Sequence, residues 1–496
     1  MIIKTDKSEI MDFFQDASNF KGDCDAVYFP KEAEEVKQIL IDANKNRTHV
    51  TISGNGTGLT GARVPEDGIV ISTNLLNKII EINETNKYAV IEPGVILKDF
   101  QDLVESKGLF YPPDPTERNC FVGATVANNS SGAKTFKYGP TRDYVEAANI
   151  ILPDGEEVYL NRGDVYAVDN ILSFITKSGK LIKLNLPAHP MPETKHTAGY
   201  YYKPGMDAID LFIGSEGTLG FLSEIKLKLI DLPRNILSSI IFFDDEMDAL
   251  NFITEVRESS KSNRNSNDLS LINALGLEFF DNNSLKFMIE EYTQIPQTAN
   301  AAVWFEQEID DVSEEEALNN WMELIEKNNG DLETAWIATN EKDRTKFKDF
   351  RHAISWKVTE YITRENVRKV GTDTAVPDNK FLEYYDYIIT TVKSNGLNYI
   401  CYGHAGNSHV HLNMLPKNET EYLKARKIYA DLCSKAVEMK GTISAEHGIG
   451  KLKRNFLNIM FNETEIKEMA QLKKALDPNL ILGIGNIFET NYFDEK

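Results

Sequence analysis

Three of the eight histidines lie in one short segment, YGHAGNSHVHLN, from Tyr402 to Asn413. The run LNYICY reads as a strand, HAGNS as a turn, and HVHLNML as the returning strand of a hairpin. Period-two alternation puts His409, His411 and Asn413 on one face and Val410, Leu412 and Met414 on the other, so one face packs and the other is free for chemistry. His404, at the mouth of the turn, can bend over the polar face toward His411, and two neutral imidazoles suit zinc or a similar divalent ion. A further ligand is on offer in GTISAEHGIG, where Glu446 and His447 stand among glycines that permit close approach. Each loop also has an ordinary explanation: Glu446 paired with Lys451 or Lys453, and histidines satisfied within a core.

A second chemistry is written in glycine. SGNGTGLTGA (Ser53 to Ala62) follows the strand THVTI and carries Gly54, Gly56, Gly58 and Gly61. Glycines let the backbone approach a ligand without a Cβ, so consecutive N–H groups can converge on a pyrophosphate. The spacing is G-x-G-x-G and ARVPEDG follows in place of a helix, which excludes a Rossmann loop; no Gly-Lys-Ser/Thr closes it, which excludes a Walker A loop. YPPDPTERNCFVGATVANNSSGAKTFKYG (Tyr111 to Gly139) adds a rigid Pro-Pro-Asp-Pro segment and small residues at Gly123, Ala124, Thr125, Asn128 and Gly132, a second backbone wall against a flat ligand. GSEGTLG (Gly214 to Gly220) supplies a third.

These loops need a scaffold, and 496 residues are enough for about two or three domains. From about residue 27 to 230, short β-rich runs (THVTISG, GIVIST, YAVIEPG, AANIILPDG, LIKLNLP, DLFIGSEGTLGF) alternate with glycine-rich turns, and 31–44 and 95–107 show helical periodicity. After Leu232-Pro233 the glycine density falls. Residues 245–262, 313–328 and 378–394 read as amphipathic helices, between strands such as ILSSIIFF and ANAAVWFEQEI. Beyond Pro416 the chain is mainly helical. The expected division is 1–232, 233–420 and 421–496.

Composition narrows the partners. A net charge of -22 repels nucleic acid, and the four cysteines, with no CxxC spacing, exclude an iron-sulfur cluster or zinc ribbon. No apolar run approaches the roughly 20 residues of a membrane span. MIIKTDKSEI lacks a signal peptide's apolar stretch and cleavage site, which points to the cytoplasm, with peripheral attachment to the inner membrane as an alternative. Electrons gathered here would leave through an organic cofactor and an external acceptor.

Taken together, the loops resemble the FAD-binding domain of the vanillyl-alcohol oxidase and p-cresol methylhydroxylase (PCMH) flavoproteins, in the branch of D-lactate, glycolate and D-2-hydroxyglutarate dehydrogenases. The likeness runs from PKEAEEV at residue 30 to the C-terminal helices. It implies an α+β fold: a two-subdomain PCMH-type FAD-binding domain, an antiparallel-sheet substrate domain with helices, and a helical C-terminal segment. It also implies FAD contacts from Gly54, Asn55, Gly56, Thr57, Gly58, Leu59, Thr60, Gly61, Pro113, Asp114, Thr116, Gly123, Ala124, Thr125, Asn128, Gly132, Tyr138, Glu216, Gly217 and Gly220. Because the glycine loop has no histidine, FAD is expected to be non-covalent.

The family's G-H-x-G-D-G-N-x-H maps onto Gly403 to His411, and E-H-G-I-G onto Glu446 to Gly450. The implied metal ligands are His404, His411 and Glu446, holding zinc, with manganese or iron as alternatives; His447 is the acid/base. Asn407, Ser408 and His409 replace the usual Asp, Gly and Asn, which leaves His409 as a rival ligand. Arg351, opening the helix FRHAISWKVTEY, matches a carboxylate clamp, with Ser355 one turn on and Asn413 as a further substrate contact; its ordinary alternative is a surface pair with Asp349. Where the D-2-hydroxyglutarate enzymes have Lys-Tyr-Asp, this chain has Gly371, Thr372 and Asp373, so a D-lactate-like substrate is expected unless Arg364, Arg368 or Lys369 supplies the missing cation. The expected acceptor is a quinone or an electron-transfer protein, and a homodimer is an open assembly state. Rival readings are a transferase resembling alkylglycerone-phosphate synthase and a non-catalytic flavin subunit.

Overall fold

The computed structural model describes residues 1–493. Strands Ala26–Phe29, Ile69–Ser72 and Val50–Ser53 form a parallel array, edged by Ile2–Lys4 in antiparallel register. Helix Ala33–Asn46 is the crossover that a parallel pair requires. Its buried Val36, Ile39, Leu40 and Ala43 fall at helical spacing and pack on Val50, Ile71 and Phe221. It stops at Arg47, a left-handed residue at φ 55°.

A second sheet of five antiparallel strands runs Ile79–Asn83, Tyr88–Ile91, Phe221–Lys228, Val145–Ile151 and Glu157–Asn161 in spatial order. The third has seven strands, antiparallel throughout, in the order Asp331–Ile337, Asn235–Phe243, Ala301–Ile309, Ala274–Asp281, Tyr399–Gly403, His411–Met414 and Val370–Gly371. Its central strands are buried along nearly their whole length because both faces are covered. Ile240, Phe242, Phe280, Ile400 and Tyr402 pack against helix residues Phe350, Ile354 and Val358. The alternate residues, including Ile241, Phe243, Phe279 and Phe305, join the larger core on the other side. The α+β organisation is as expected, a large antiparallel sheet following the smaller ones of the N-terminal part.

Three local expectations change. DLFI is not a strand: Ala208–Leu211 is a 3-10 turn capped by Asp207, and positive φ at Gly214, Glu216 and Gly217 carries the chain round to a strand that starts at Phe221. Arg351 does not open a helix but sits in the middle of Glu341–Arg364, which begins a full two turns earlier because Asn340 caps a run of charged helix formers. The hairpin forms, but its return strand begins at His411, since Ser408 is left-handed at φ 54° and delays pairing.

The last elements come back to the first sheet. Val50 N–H donates to the Ile481 carbonyl at 2.7 Å, and Gly483 N–H to the Val50 carbonyl at 2.9 Å. Lys473, paired with the fully buried Asp477, also donates to the carbonyls of Thr218 and Leu482 at 2.7 and 2.8 Å. Among the described residues no helix is long and apolar enough to cross a membrane.

Candidate active site

The hairpin and the 441–450 loop meet at one carboxylate oxygen, and strand Ala274–Asp281 stands behind them through Glu278. Gly403 makes the hairpin mouth narrow: a Cβ there would lie 2.9 Å from His411 Cδ2. Glu446 Oε1 has His411 Nε2 at 3.2 Å, His404 Nε2 at 3.4 Å and His447 Nε2 at 3.5 Å. Donor atoms around a four-coordinate zinc ion are separated by roughly 3.3 Å when each lies about 2.0–2.1 Å from the metal. Each of these imidazoles thus stands from Glu446 at the separation of two donors sharing a divalent ion, while the group that is compact throughout takes in His409 and leaves out His404. Asp373, His409, His411 and Glu446 offer ligand atoms that all lie within 4.8 Å of one another.

The imidazoles differ in what holds them. His404 Nδ1 lies 2.6 Å from Glu278 Oε1, and His411 Nδ1 donates to the Thr372 carbonyl at 3.4 Å. His409 is completely buried and neither ring nitrogen has a hydrogen-bond partner; its Nε2 is 3.4 Å from Asp373 and its Nδ1 3.9 Å from Glu446. His447 Nδ1 faces Asp373 at 3.5 Å.

Charges are matched one for one. Glu278 pairs with Arg351, Asp373 with Lys453 at 2.6 Å, and Glu446 with Lys195 at 2.7 Å. Burial alone would raise the Glu278 pKa, but His404 and Arg351 outweigh it and hold the group down at about 2. Burial would likewise raise Asp373 and Glu446; His447 and Lys453 in the first case, and Lys195, His404 and His409 in the second, keep both well below the carboxylate range. Burial pushes His447 down to about 4 and His409 to about 3. His404 goes the other way: burial lowers it, yet Glu278 and Glu446 together raise it.

Arg351 is not a surface residue bound to Asp349. It is 4% exposed, its Nε donates to Glu278, and its guanidinium lies 5.7 Å from the Tyr402 ring centroid. Ser355 meets the Tyr402 hydroxyl at 3.3 Å, and buried Asn413 donates to the His411 carbonyl at 3.3 Å. Glu446 does not pair with Lys451, which bonds Asn486 instead, nor with Lys453.

The glycine loops border this cluster. A cavity of about 440 Å³ is lined by Gly54, Asn55, Gly56, Arg63, Asn74 and Phe121. A Cβ on Gly54 would lie 3.0 Å from Ala124, so the first two loops touch; one on Gly58 would meet nothing nearer than Asp16 at 3.9 Å. Gly58 thus has no packing reason to be glycine. Gly56 does, with Arg63 at 2.8 Å, as do Gly123 against Pro93, Gly132 against the Asp114 carbonyl and Gly220 against Ile150. The cradle fits a phosphate-bearing cofactor, and Thr60 joins it to the histidine loop by accepting from Lys451 N–H at 2.9 Å.

Around the cradle, Thr57 is half-buried, Leu59 is 47% exposed, and Asn55 donates to the Asn119 carbonyl at 2.7 Å. Gly61 N–H donates to Asp16 at 2.9 Å. Pro113 accepts from Gln101, Thr125 donates to the Val122 carbonyl, Asn128 is half-buried and Thr116 is exposed. Burial lifts Asp114 to about 6. Two side chains expected on FAD are committed elsewhere: Tyr138 donates to Glu308 of the third sheet, and Glu216 accepts from Ile449 and Gly450 N–H at 2.7 and 2.6 Å. Gly217 holds the turn beside Glu216 at φ 69°.

Sequence reading missed Glu278 and Lys195, and saw neither Asp373 as an organiser nor Lys453 as its partner. A signal for Glu278 was present, since LGLEFF sets an acid in the middle of an apolar run. Asp373 accepts from the N–H groups of Glu446 and His447 at 3.2 and 3.1 Å, a pairing between distant segments that spacing could not reveal.

Residues 232–487 match the family model of FAD linked oxidases, C-terminal domain, and residues 24–161 that of an FAD binding domain. The chain is 30% identical over 472 residues to the glycolate oxidase subunit GlcD of Bacillus subtilis, covering 94% of this chain and 89% of that protein. It is 30% identical over 466 residues to a D-lactate dehydrogenase of Anaerostipes hadrus, covering 92% and 87%. Its fold is that of an alkyldihydroxyacetonephosphate synthase, with a TM-score of 0.66 at 17% identity over 97% of this chain and 81% of that one.

Proposed function

We infer, from the premise that this chain belongs to the FAD linked oxidases, that it oxidises a D-lactate-like D-2-hydroxy acid to the 2-oxo acid with a divalent metal in the His404, His411 and Glu446 cluster. The convergence of imidazole Nε2 atoms on Glu446 Oε1, beside a buried arginine and the glycine cradle, carries this reading. His404 and His411 are favoured over His409 as ligands because each has its Nδ1 fixed by an acceptor, which leaves Nε2 directed into the cluster. Zinc suits the set, with manganese or iron as alternatives.

When bound, FAD supplies a two-electron acceptor and the divalent ion supplies Lewis acidity toward substrate oxygens. Arg351 clamps the substrate carboxylate; its Nη atoms have no partner among the described residues, since only Nε is engaged by Glu278. Ser355 and Asn413 border that clamp. His447 Nε2 accepts the C2 hydroxyl proton, with Asp373 behind Nδ1 to orient the ring. Fixing the acid at its carboxylate turns its C2 hydrogen toward the flavin side of the site, a positioning effect worth several kcal/mol.

The glycine loops hold FAD without a covalent link, as none of His49, His189 and His196 lies in the cradle. The division is placed at 1–232, 233–420 and 421–496. With no nicotinamide motif, reoxidation falls to a quinone or electron-transfer protein, in the cytoplasm or at the inner membrane surface. The test is the flavin spectrum. Chelation, or His411→Ala, should abolish bleaching by D-lactate while FAD stays bound, and unchanged reduction in metal-free protein overturns the metal assignment. Two-oxo acid formation with an artificial acceptor separates this reading from a transferase.

A further inference from the structure

Glu446 is held from two directions. Its Oε1 faces the imidazoles, whereas Oε2 takes Lys195 Nζ at 2.7 Å and the Ser131 hydroxyl at 3.3 Å, both from the N-terminal half of the chain. Lys195 and Glu446 side chains are each 9% exposed, and Lys195 Nζ makes no second hydrogen bond among the described residues. A buried lysine with a single partner is a costly arrangement to maintain unless that partner needs it.

The backbone around Lys195 is pinned although it forms neither helix nor strand. Thr194 donates to the Val376 carbonyl at 3.2 Å, Thr197 N–H to the Ser444 carbonyl at 2.9 Å, and Gly448 N–H to the Thr197 hydroxyl at 3.1 Å. The segment therefore stitches the stretch 373–376 that bears Asp373 to the loop bearing Glu446 and His447. Lys195 is the cation that residues 194–197 bring to that seam.

We propose that Lys195 is a positioning residue for the metal: by occupying Glu446 Oε2 from the N-terminal half of the chain, it presents Oε1 alone to the ion and makes ligand geometry depend on the seam at 194–197. This rests on the assignment of Glu446 and His411 as ligands. The sign of the effect is diagnostic. A cation beside a metal ligand repels the ion, so if Lys195 only balanced charge, its removal would tighten metal binding. If it positions Glu446, removal weakens binding, in the range of about 10–100-fold typical of groups that orient ligands.

The experiment titrates Zn²⁺ alone into FAD-loaded, metal-stripped protein by calorimetry, with wild type, Lys195→Met, Lys195→Arg, Ser131→Ala and His411→Ala. Lys195→Met should weaken Zn²⁺ binding at least about tenfold with FAD content unchanged, Lys195→Arg should restore most of it, and Ser131→Ala should weaken it by less. Equal or tighter binding by Lys195→Met, with His411→Ala still impaired, overturns the positioning role and leaves the ligand set standing. Unimpaired His411→Ala overturns the ligand set itself. Should Lys195→Met fail to fold, Lys195→Arg decides with Ser131→Ala: wild-type affinity in the first and a loss in the second support the proposal, and any other pattern overturns it.

Discussion

Glu278→Gln probes the site through a residue that neither binds substrate nor ligates metal in the proposed scheme. The side chain is 1% exposed, and its two oxygens divide between Arg351 Nε and His404 Nδ1. A carboxamide has one acceptor oxygen, and its nitrogen only donates. One of the two donors is then left facing another donor, and Arg351, at 4% exposed, loses its counter-ion. Neutralising one partner of a buried pair costs about 3–5 kcal/mol. For a cooperative unit of about 200 residues, that lowers the melting temperature by roughly 10 °C. If the amide turns its oxygen to His404, the imidazole keeps its orientation and Arg351 bears the loss; in the opposite rotamer, His404 loses its support and metal affinity falls by about 10–100-fold. Scanning fluorimetry of FAD-loaded protein and a Zn²⁺ titration separate the two rotamers. Glu278→Asp, which keeps the charge, should recover the larger part of the stability. A Gln variant that melts with the wild type and binds zinc equally well would refute the reasoning, because the pair would then carry neither stability nor ligand orientation.

Gly58→Val should lose FAD while keeping the wild-type circular dichroism, since its Cβ meets nothing in the protein nearer than Asp16 at 3.9 Å and the branched side chain would crowd a ligand held by the loop; full FAD occupancy refutes the loop assignment. Gly56→Val is a poorer probe because Arg63 lies in its way. For substrate size, kcat/KM for D-lactate should exceed that for D-2-hydroxyglutarate by about tenfold, or about 1.4 kcal/mol of transition-state binding. Gly371 offers no cation, and Arg364 and Arg368 are taken by Glu365 and Glu419, whereas Lys369 has no carboxylate partner among the described residues. A preference for D-2-hydroxyglutarate that Lys369→Ala removes would identify that lysine as the second cation.

What the sequence disclosed and what it withheld follow from how far each feature reaches along the chain. The helix at 33–46, the strands at 235–243 and 301–309 and the histidine hairpin depend on local periodicity, and the expected and observed boundaries differ by only a few residues. DLFI was misread because a short apolar run, Leu211 to Ile213, looks the same at the end of a buried 3-10 turn as in a strand. Arg351 was placed at a helix start because EKDRTKFKD has no apolar face to announce that it is already helical. In the site, the histidines and Glu446 stood out by type and spacing. Their supports, Glu278, Asp373, Lys195 and Lys453, did not, since each acts on a residue far away in sequence and only folding brings them together.

The return of the chain to its first sheet also sets a timetable for biosynthesis. Asn479 donates to the Asn44 side chain at 2.9 Å across 435 residues of sequence, close to where Val50 receives Ile481. A ribosome adding about 5–20 residues per second leaves the early strands waiting on the order of 20–90 s for that partner. During that interval the edge of Val50–Ser53 and the apolar groove that later accepts Ile481 and Leu482 are bare, which makes the nascent N-terminal half a client for chaperones rather than a finished flavin receptor. A stop codon placed just before Asp477 would deprive the first sheet of its closing segment, even though every glycine of the cradle had been synthesised.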